Sequence, residues 1–214
     1  MTVACIYEKV DVMETVLYTQ RVETVESYGE RRDCADQKIA EFICECGYLP
    51  VPLPNNREIA AKIFGELKPS GIVLTGGNSL VKYGGNAPER DDMERELIRL
   101  SIEKGIPVYG FCRGMQVILD YFGCGLDEVI GHVAVRHRLS GAWEGEEVNS
   151  FHNQACLQVK EPLQKLAWTG DGIVEAVLCK EYRILGTMWH PEREHPFRQE
   201  DIARVKGLFG KQEG

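Results

Sequence analysis

The sequence predicts a single α/β domain with a mostly parallel central sheet, helices on both faces and a β-rich C-terminal extension. Three observations predict it. Short apolar runs bounded by turn residues alternate with amphipathic stretches as far as Gly125, which is the pattern of βα units around a parallel sheet. Beyond Gly125 the texture changes to short β-rich runs without intervening helices. The length of 214 residues suits one domain with a sizeable core.

The first strand is expected at "VLYT", from residue 16. Residues 1–15 read as an N-terminal extension or as part of that strand, with Met13 as an alternative start. Between Asp33 and Cys46, Ile39, Phe42 and Ile43 recur at helical spacing and Gly47 supplies a stop. "YLPVPL" and "GIVLTGG" read as further strands. "PERDDMERELIRLSIEKG" repeats the helix pattern, with Pro88 early, acids leading and Gly105 closing. "IPVYGFC" is the next strand. The runs "HVAVRHRL", "EEVNSF", "IVEAVLCK" and "RILGTMW" are expected to extend the sheet in mixed or antiparallel fashion, and "EDIARVKGLF" to form a last helix. The domain is expected to span residues 16–209, followed by a frayed tail at 210–214.

A formal net charge of −8 argues against a nucleic-acid or anionic-membrane partner, because both attract concentrated Lys and Arg. Eight cysteines are scattered without zinc-like CxxC pairs. They read as reduced thiols of a cytoplasmic protein that needs no metal or other cofactor. No stretch reaches the roughly 18 apolar residues that would span a bilayer.

The chemistry centres on Cys112. In "YGFCRGMQ", Gly110 and Gly114 flank it as G-x-C-x-G after an apolar strand and before a helical pattern, the arrangement that a nucleophile elbow uses with serine. Glycines are needed there because the turn is sharp and the helix must pack close to the strand. A helix N-terminus favours the thiolate and offers backbone N–H groups to an oxyanion. Most free cysteines are small buried hydrophobes, but few stand in this pattern.

A nucleophilic cysteine needs a base and a group to orient that base. His190 ends "RILGTMW" in "WHPE", where Pro191 holds it extended. In an extended segment Glu192, two residues on, shares its side and can accept the imidazole N–H. Cys112, His190 and Glu192 then form a triad. His195 ranks second, lying farther from the strand end without an acid two residues later. His132 and His137, on an apparently alternating strand, read as structural or surface groups. His152, in the polar cluster "NSFHNQ" at another strand end, is expected to line the site without being the base. "LTGGN" supplies Gly76 and Gly77 after a predicted central strand. Their N–H groups, with that of Arg113, are candidate oxyanion donors.

Together, "LTGGN", "GFCRGMQ", "VNSFHNQ" and "MWHPE" resemble the class I glutamine amidotransferase-like superfamily, a flavodoxin-like fold. Within it they resemble the γ-glutamyl-γ-aminobutyrate hydrolase type, or peptidase family C26. The resemblance runs from about residue 16 to the end. It implies Cys112 as nucleophile, His190 as base, Glu192 as orienting acid, and Gly77 and Arg113 as oxyanion amides. It also implies that Gln116 and His152 lie near a γ-glutamyl group, and Gly76, Ser150 and Phe151 are further substrate-binding candidates. The "CRG" sequence is nearer to the hydrolase branch than to biosynthetic amidotransferases. "TQRVETVESYGERRD" and "YGGNAPERD" resemble a bacterial subgroup associated with surface-polysaccharide gene clusters, the γ-glutamyl-CDP-amidate hydrolase subgroup. Thr75 departs from the family pattern, where many members carry proline before the paired glycines.

The expected activity is thioester-mediated hydrolysis of a small γ-glutamyl amine conjugate. Arg21, Arg31 and Arg32, near the first strand, are candidates to receive a phosphate or nucleotide on the leaving amine, with Arg21 and Arg32 the leading pair. One alternative is a glutaminase subunit feeding ammonia to a separate synthase. Another is a non-catalytic binding module, against which the intact Cys112, His190 and Glu192 speak.

Overall fold

The structure, a computed structural model, describes residues 13–210. The expectations for residues 1–12 and for most of the C-terminal tail lie outside the described residues. The chain opens with β1 (Thr15–Tyr18), a hairpin of β2 (Arg21–Val25) and β3 (Glu30–Cys34), α1 (Gln37–Glu45), β4 (Leu49–Pro52) and α2 (Arg57–Leu67). Then come β5 (Gly71–Leu74), α3 (Pro88–Lys104), β6 (Val108–Phe111) and α4 (Arg113–Tyr121). The β-rich part holds β7 (Asp127–Glu128), β8 (Val133–Arg138), β9 (Ser140–Gly141), β10 (Glu147–Phe151), β11 (Gln154–Ala155), β12 (Gln164–Trp168), β13 (Val174–Cys179) and β14 (Ile184–Thr187), and α5 (Gln199–Phe209) closes the chain.

The central sheet has the order β4-β1-β5-β6-β14-β13-β12-β9. Its first five strands pair in parallel and the remaining pairings are antiparallel. This is the parallel sheet covered by helices that the alternation predicts, and the flavodoxin-like sandwich that the resemblance implies. The parallel strands β5 and β6 are buried along their whole length, because helices cover both faces. On one face Leu17, Ile72, Leu74 and Val108 pack with Phe64 of α2, Leu97 of α3 and Met115 of α4. On the other, Val16, Val73, Tyr109 and Phe111 meet Phe42 of α1 and Val205 of α5.

The helix boundaries follow local chemistry. The Asp36 side chain accepts from the Lys38 N–H and starts α1, whereas Glu30–Cys34, whose end falls in the stretch expected to be helical, is a strand. Gly105 closes α3 in the left-handed conformation at φ 68°. Two of the expected C-terminal additions to the sheet do not join it. The runs "HVAVRHRL" and "EEVNSF" form a separate antiparallel ribbon, β8–β10. β12, which sequence alternation does not reveal, takes the place expected for them. No described helix is long and apolar enough to cross a membrane.

Glycine contacts make this packing testable. A Cβ on Gly114 would lie 2.0 Å from the Leu74 carbonyl oxygen, whereas one on Gly65, exposed in α2, would meet nothing within 4 Å. Gly114→Ala is expected to cost about 1–3 kcal/mol or more in urea denaturation. Gly65→Ala is expected to add about 0.5–1 kcal/mol.

Candidate active site

The site forms beyond the carboxyl ends of β5, β6 and β14, where open α/β sheets place their ligands. Cys112 follows β6 directly and caps α4 at φ 51°, ψ −111°. Such a backbone is strained for a residue with a Cβ. It is held from both sides. The Cys112 amide donates to the Thr187 carbonyl at the end of β14 over 2.8 Å, and the Cys112 carbonyl accepts from the Gln116 amide at 3.0 Å. A Cβ on Gly110 would meet the Gly114 backbone at 2.7 Å, so both flanking glycines are steric requirements of the turn.

His190 Nδ1 lies 2.7 Å from Glu192 Oε1, leaving Nε2 for Cys112, and all three residues are buried. The imidazole is wedged edge-on between the rings of Phe111 and Phe151, with centroids 5.7 and 5.8 Å away. Its backbone is tied to Asn149, whose side chain accepts from the His190 amide at 2.9 Å and donates to its carbonyl at 2.8 Å. The extended backbone expected at His190 is present, at φ −108° and ψ 93°. The geometry expected for Glu192 is not. Pro191–Arg193 is a 3₁₀ turn, so the carboxylate reaches the ring by curling back rather than by strand alternation.

Burial opposes protonation of His190, but the charge and hydrogen bond of Cys112, followed by those of Glu192, outweigh it and raise the imidazole from 6.5 to about 9. His190 is therefore a cation at neutral pH, able to give a proton.

The paired glycines lie against this cluster. A Cβ on Gly76 would stand 2.7 Å from His190 Cε1, and Gly77 has φ 84°. Among the described residues, neither the Gly77 nor the Arg113 amide donates a hydrogen bond. Thr75, the departure from the family pattern, bonds to Thr19 through its amide at 3.0 Å and its hydroxyl at 2.8 Å, fastening the loop to the end of β1.

A cavity of about 210 Å³ is lined by Cys112, Gln116, Phe151, His152, His190 and Arg193, among others. Gln116 Nε2 donates to the Gln154 carbonyl at 2.9 Å. Ser150 is turned away, its hydroxyl donating to the His132 carbonyl. His195 is exposed and lines a different groove with Lys38 and Glu41. His132 precedes β8 rather than lying on the expected strand, and it is 1% exposed. It joins His137, His152 and Glu175 in a buried polar cluster behind the cavity. Donor atoms of His132, His137 and Glu175 all lie within 4.8 Å of one another, and Glu175 Oε1 stands 3.6 Å from His132 Nδ1 and 3.4 Å from His152 Nε2.

The three arginines separate. Arg21 lines a second, smaller recess of about 50 Å³ with Gly76, Gly77, His190 and Arg193. Asn78 brings it there by bonding both the amide and the carbonyl of Val22, at 2.8 and 3.0 Å. Arg32 does not reach the site. It pairs with Glu30 and Tyr28 on its own hairpin, and Arg31 pairs with Glu89. Arg31 and Arg32 are neighbours in β3 and face opposite sides, whereas Arg32 stands across from Glu23, two residues along β2 from Arg21 and away from the glycine loop. Sequence reasoning missed Arg193, which lines both recesses and lies 4.4 Å from the centroid of the Phe151 ring. It also missed Asn149, which is one of three polar residues in β10 and so carries no distinctive signal.

Fold and site together define a class I glutamine amidotransferase-like protein, with a cysteine on a strand-to-helix elbow beside a histidine–carboxylate pair. The chain belongs to the peptidase C26 family, whose model matches residues 15–143 and 134–192. It is 33% identical over 189 residues to the γ-glutamyl-CDP-amidate hydrolase of Campylobacter jejuni, covering 87% of this chain and 94% of that one. It is 29% identical over 205 residues to the γ-glutamyl-γ-aminobutyrate hydrolase of Escherichia coli O157:H7, covering 77% and 80%. A GMP synthase subunit from Thermoplasma acidophilum shares the fold with a TM-score of 0.67 at 18% identity, over 92% of this chain and 93% of that one.

Folding raises the His190 pKa above 6.5, so this interaction adds stability that is complete below about 6.5 and lost as the pH rises through about 9. ¹⁵N NMR is expected to show the ring titrating near pH 9. In Cys112→Ala, which removes the largest contribution opposing burial, the midpoint should fall markedly.

Proposed function

We propose that the protein is a cysteine-dependent γ-glutamyl hydrolase that releases glutamate from a small amine conjugate. The observation that carries this reading is the bonded His190–Glu192 pair beside a cysteine held at positive φ. Cys112 Sγ attacks the γ-carbonyl carbon, and the oxygen takes up negative charge facing the Gly77 and Arg113 amides. His190 gives its Nε2 proton to the departing amine as the C–N bond breaks, leaving a thioester. Water, losing its proton to His190, then cleaves the thioester to glutamate and frees Cys112 for another turn. Glu192 keeps the ring oriented through both steps.

The leaving amine emerges on the His190 side, where Arg21 and Arg193 line the recess. Their side chains are 45% and 40% exposed, and Arg21 pairs with Glu23 at 2.7 Å, a contact that an incoming anionic group would have to share or displace. Two guanidinium groups at that rim suit a phosphate or nucleotide on the amine, whereas a neutral alkylamine would gain little from them. The likeness to a γ-glutamyl-CDP-amidate hydrolase supports the same substrate class, and a role in surface-polysaccharide synthesis rests on the resemblance of "TQRVETVESYGERRD" and "YGGNAPERD" alone. The fold shared with a GMP synthase component keeps a second reading in view, glutaminase activity awakened by a separate synthase. Turnover of γ-glutamyl conjugates by the isolated chain, in preference to glutamine, separates the two.

Cys112→Ala is expected to lower kcat by at least about 10⁴-fold while the circular dichroism spectrum is retained, with Glu192→Gln keeping measurable activity. Arg21→Ala should lower kcat/KM for a phosphate-bearing γ-glutamyl conjugate by about tenfold or more and leave a neutral γ-glutamyl anilide nearly unchanged. Equal losses on the two substrates would remove Arg21 from substrate recognition.

A further inference from the structure

Arg90 is 0% exposed in α3, an uncommon place for a guanidinium, and both of its terminal nitrogens donate to residues 75–78 of the glycine loop. Nη2 donates to the Thr75 carbonyl at 2.7 Å and the Gly76 carbonyl at 3.1 Å, and Nη1 donates to the Gly77 carbonyl. Three successive carbonyls of the glycine loop are thus gathered onto one cation. In a trans peptide the C=O and the following N–H point in opposite directions. Fixing the Gly76 carbonyl on Arg90 therefore turns the Gly77 N–H away from Arg90. The same holds for the N–H groups of Gly76 and Asn78.

The cation is itself anchored. Arg90 Nε donates to Glu94 Oε1 at 2.9 Å, and the other oxygen of Glu94 accepts from Arg113 Nη1. Arg113 also bonds Asp91. Arg113 is the residue whose backbone amide forms the other side of the oxyanion site. Buried Glu94 thus ties the side chain behind one amide to the side chain of the residue that supplies the other. An uncompensated charge at this depth would be strongly destabilising, so the two arginines and two acids act as a unit.

We infer that Arg90 is a positioning residue for the oxyanion site, setting the direction of the Gly77 amide from behind the loop, with Glu94 coupling it to Arg113. The inference rests on the hydrolase reading above. It distinguishes steps by whether they form an oxyanion. Acylation by a γ-glutamyl amide does, and so does hemithioacetal formation with a γ-glutamyl aldehyde. Alkylation of Cys112 by iodoacetamide displaces iodide and forms none.

The test uses the full chain with Arg90→Lys, which keeps the charge but cannot reach three carbonyls, and with Glu94→Gln, which loosens the anchor while keeping its size. Three readouts are compared with wild type: kcat and KM for a γ-glutamyl anilide, the inhibition constant of the γ-glutamyl aldehyde, and the rate of Cys112 alkylation. For Arg90→Lys we expect kcat to fall on the order of 10²-fold with KM within about threefold, since oxyanion donors act on the transition state. Aldehyde inhibition should weaken in parallel and alkylation should stay within about twofold. Glu94→Gln should follow with roughly a tenfold loss. Unchanged kcat, or alkylation falling together with kcat, overturns the inference, and so does failure of both variants to fold, which would make the network purely structural. An inactive wild-type chain would instead sink the hydrolase reading and take this inference with it.

Discussion

The site depends on one steric constraint, the close approach of α4 to the ends of β5 and β6. Gly114 lies so near the Leu74 carbonyl that no side chain fits between them, and Gly110 is pressed against the Gly114 backbone in turn. That contact forces the chain to turn within a single residue, and Cys112 takes the positive φ that the turn demands. Such a conformation costs about 1–3 kcal/mol. It is offset by the buried apolar side chains that α4 adds to the core, among them Met115, Val117, Ile118 and Leu119. Packing energy in the core thus maintains a thiol at the mouth of the site.

Electrostatics build on that geometry. A histidine as buried as His190 would ordinarily lose its proton, yet the neighbouring Cys112 and Glu192 raise it to about 9. The ring cannot turn away, because Phe111 and Phe151 flank it and Asn149 holds its backbone. A second charged layer lies behind the glycine loop, where burial and the repulsion of Arg113 lower Arg90 to about 10 and still leave it a cation at neutral pH. In the mechanism we propose, one layer moves a proton and the other fixes the direction of backbone dipoles. They meet at Cys112 and Arg113, adjacent in the chain.

The sequence exposes features that are local and conceals those assembled by packing. Glycine spacing around Cys112 is legible because a tight turn limits which residues can flank it, and the alternation of apolar runs exposes the parallel half of the sheet. His190 is legible through Pro191 and the acid that follows. The path of Glu192 to the ring is not, since a two-residue separation fits a strand and a 3₁₀ turn equally well. Arg90 sits in "PERDD", which reads as a solvated helix face, and only its packing against the glycine loop reveals a buried cation. Arg21 and Arg32 look equivalent in sequence. The hairpin separates them, with Asn78 drawing the chain beside Arg21 to the glycine loop while Arg32 pairs within its own ribbon. His132 reads as part of a strand, but it precedes β8 and turns inward to Glu175.

The central claim is that Cys112 becomes covalently acylated by the γ-glutamyl group. Rapid acid quenching of the enzyme during turnover of a γ-glutamyl anilide, followed by peptide mapping in a mass spectrometer, tests it most directly. The expected result is a glutamyl thioester on the peptide carrying Cys112, absent from the other cysteines and building up further when deacylation is slowed at low pH. Turnover without any acylated cysteine, or with the acyl group on a different residue, would contradict it.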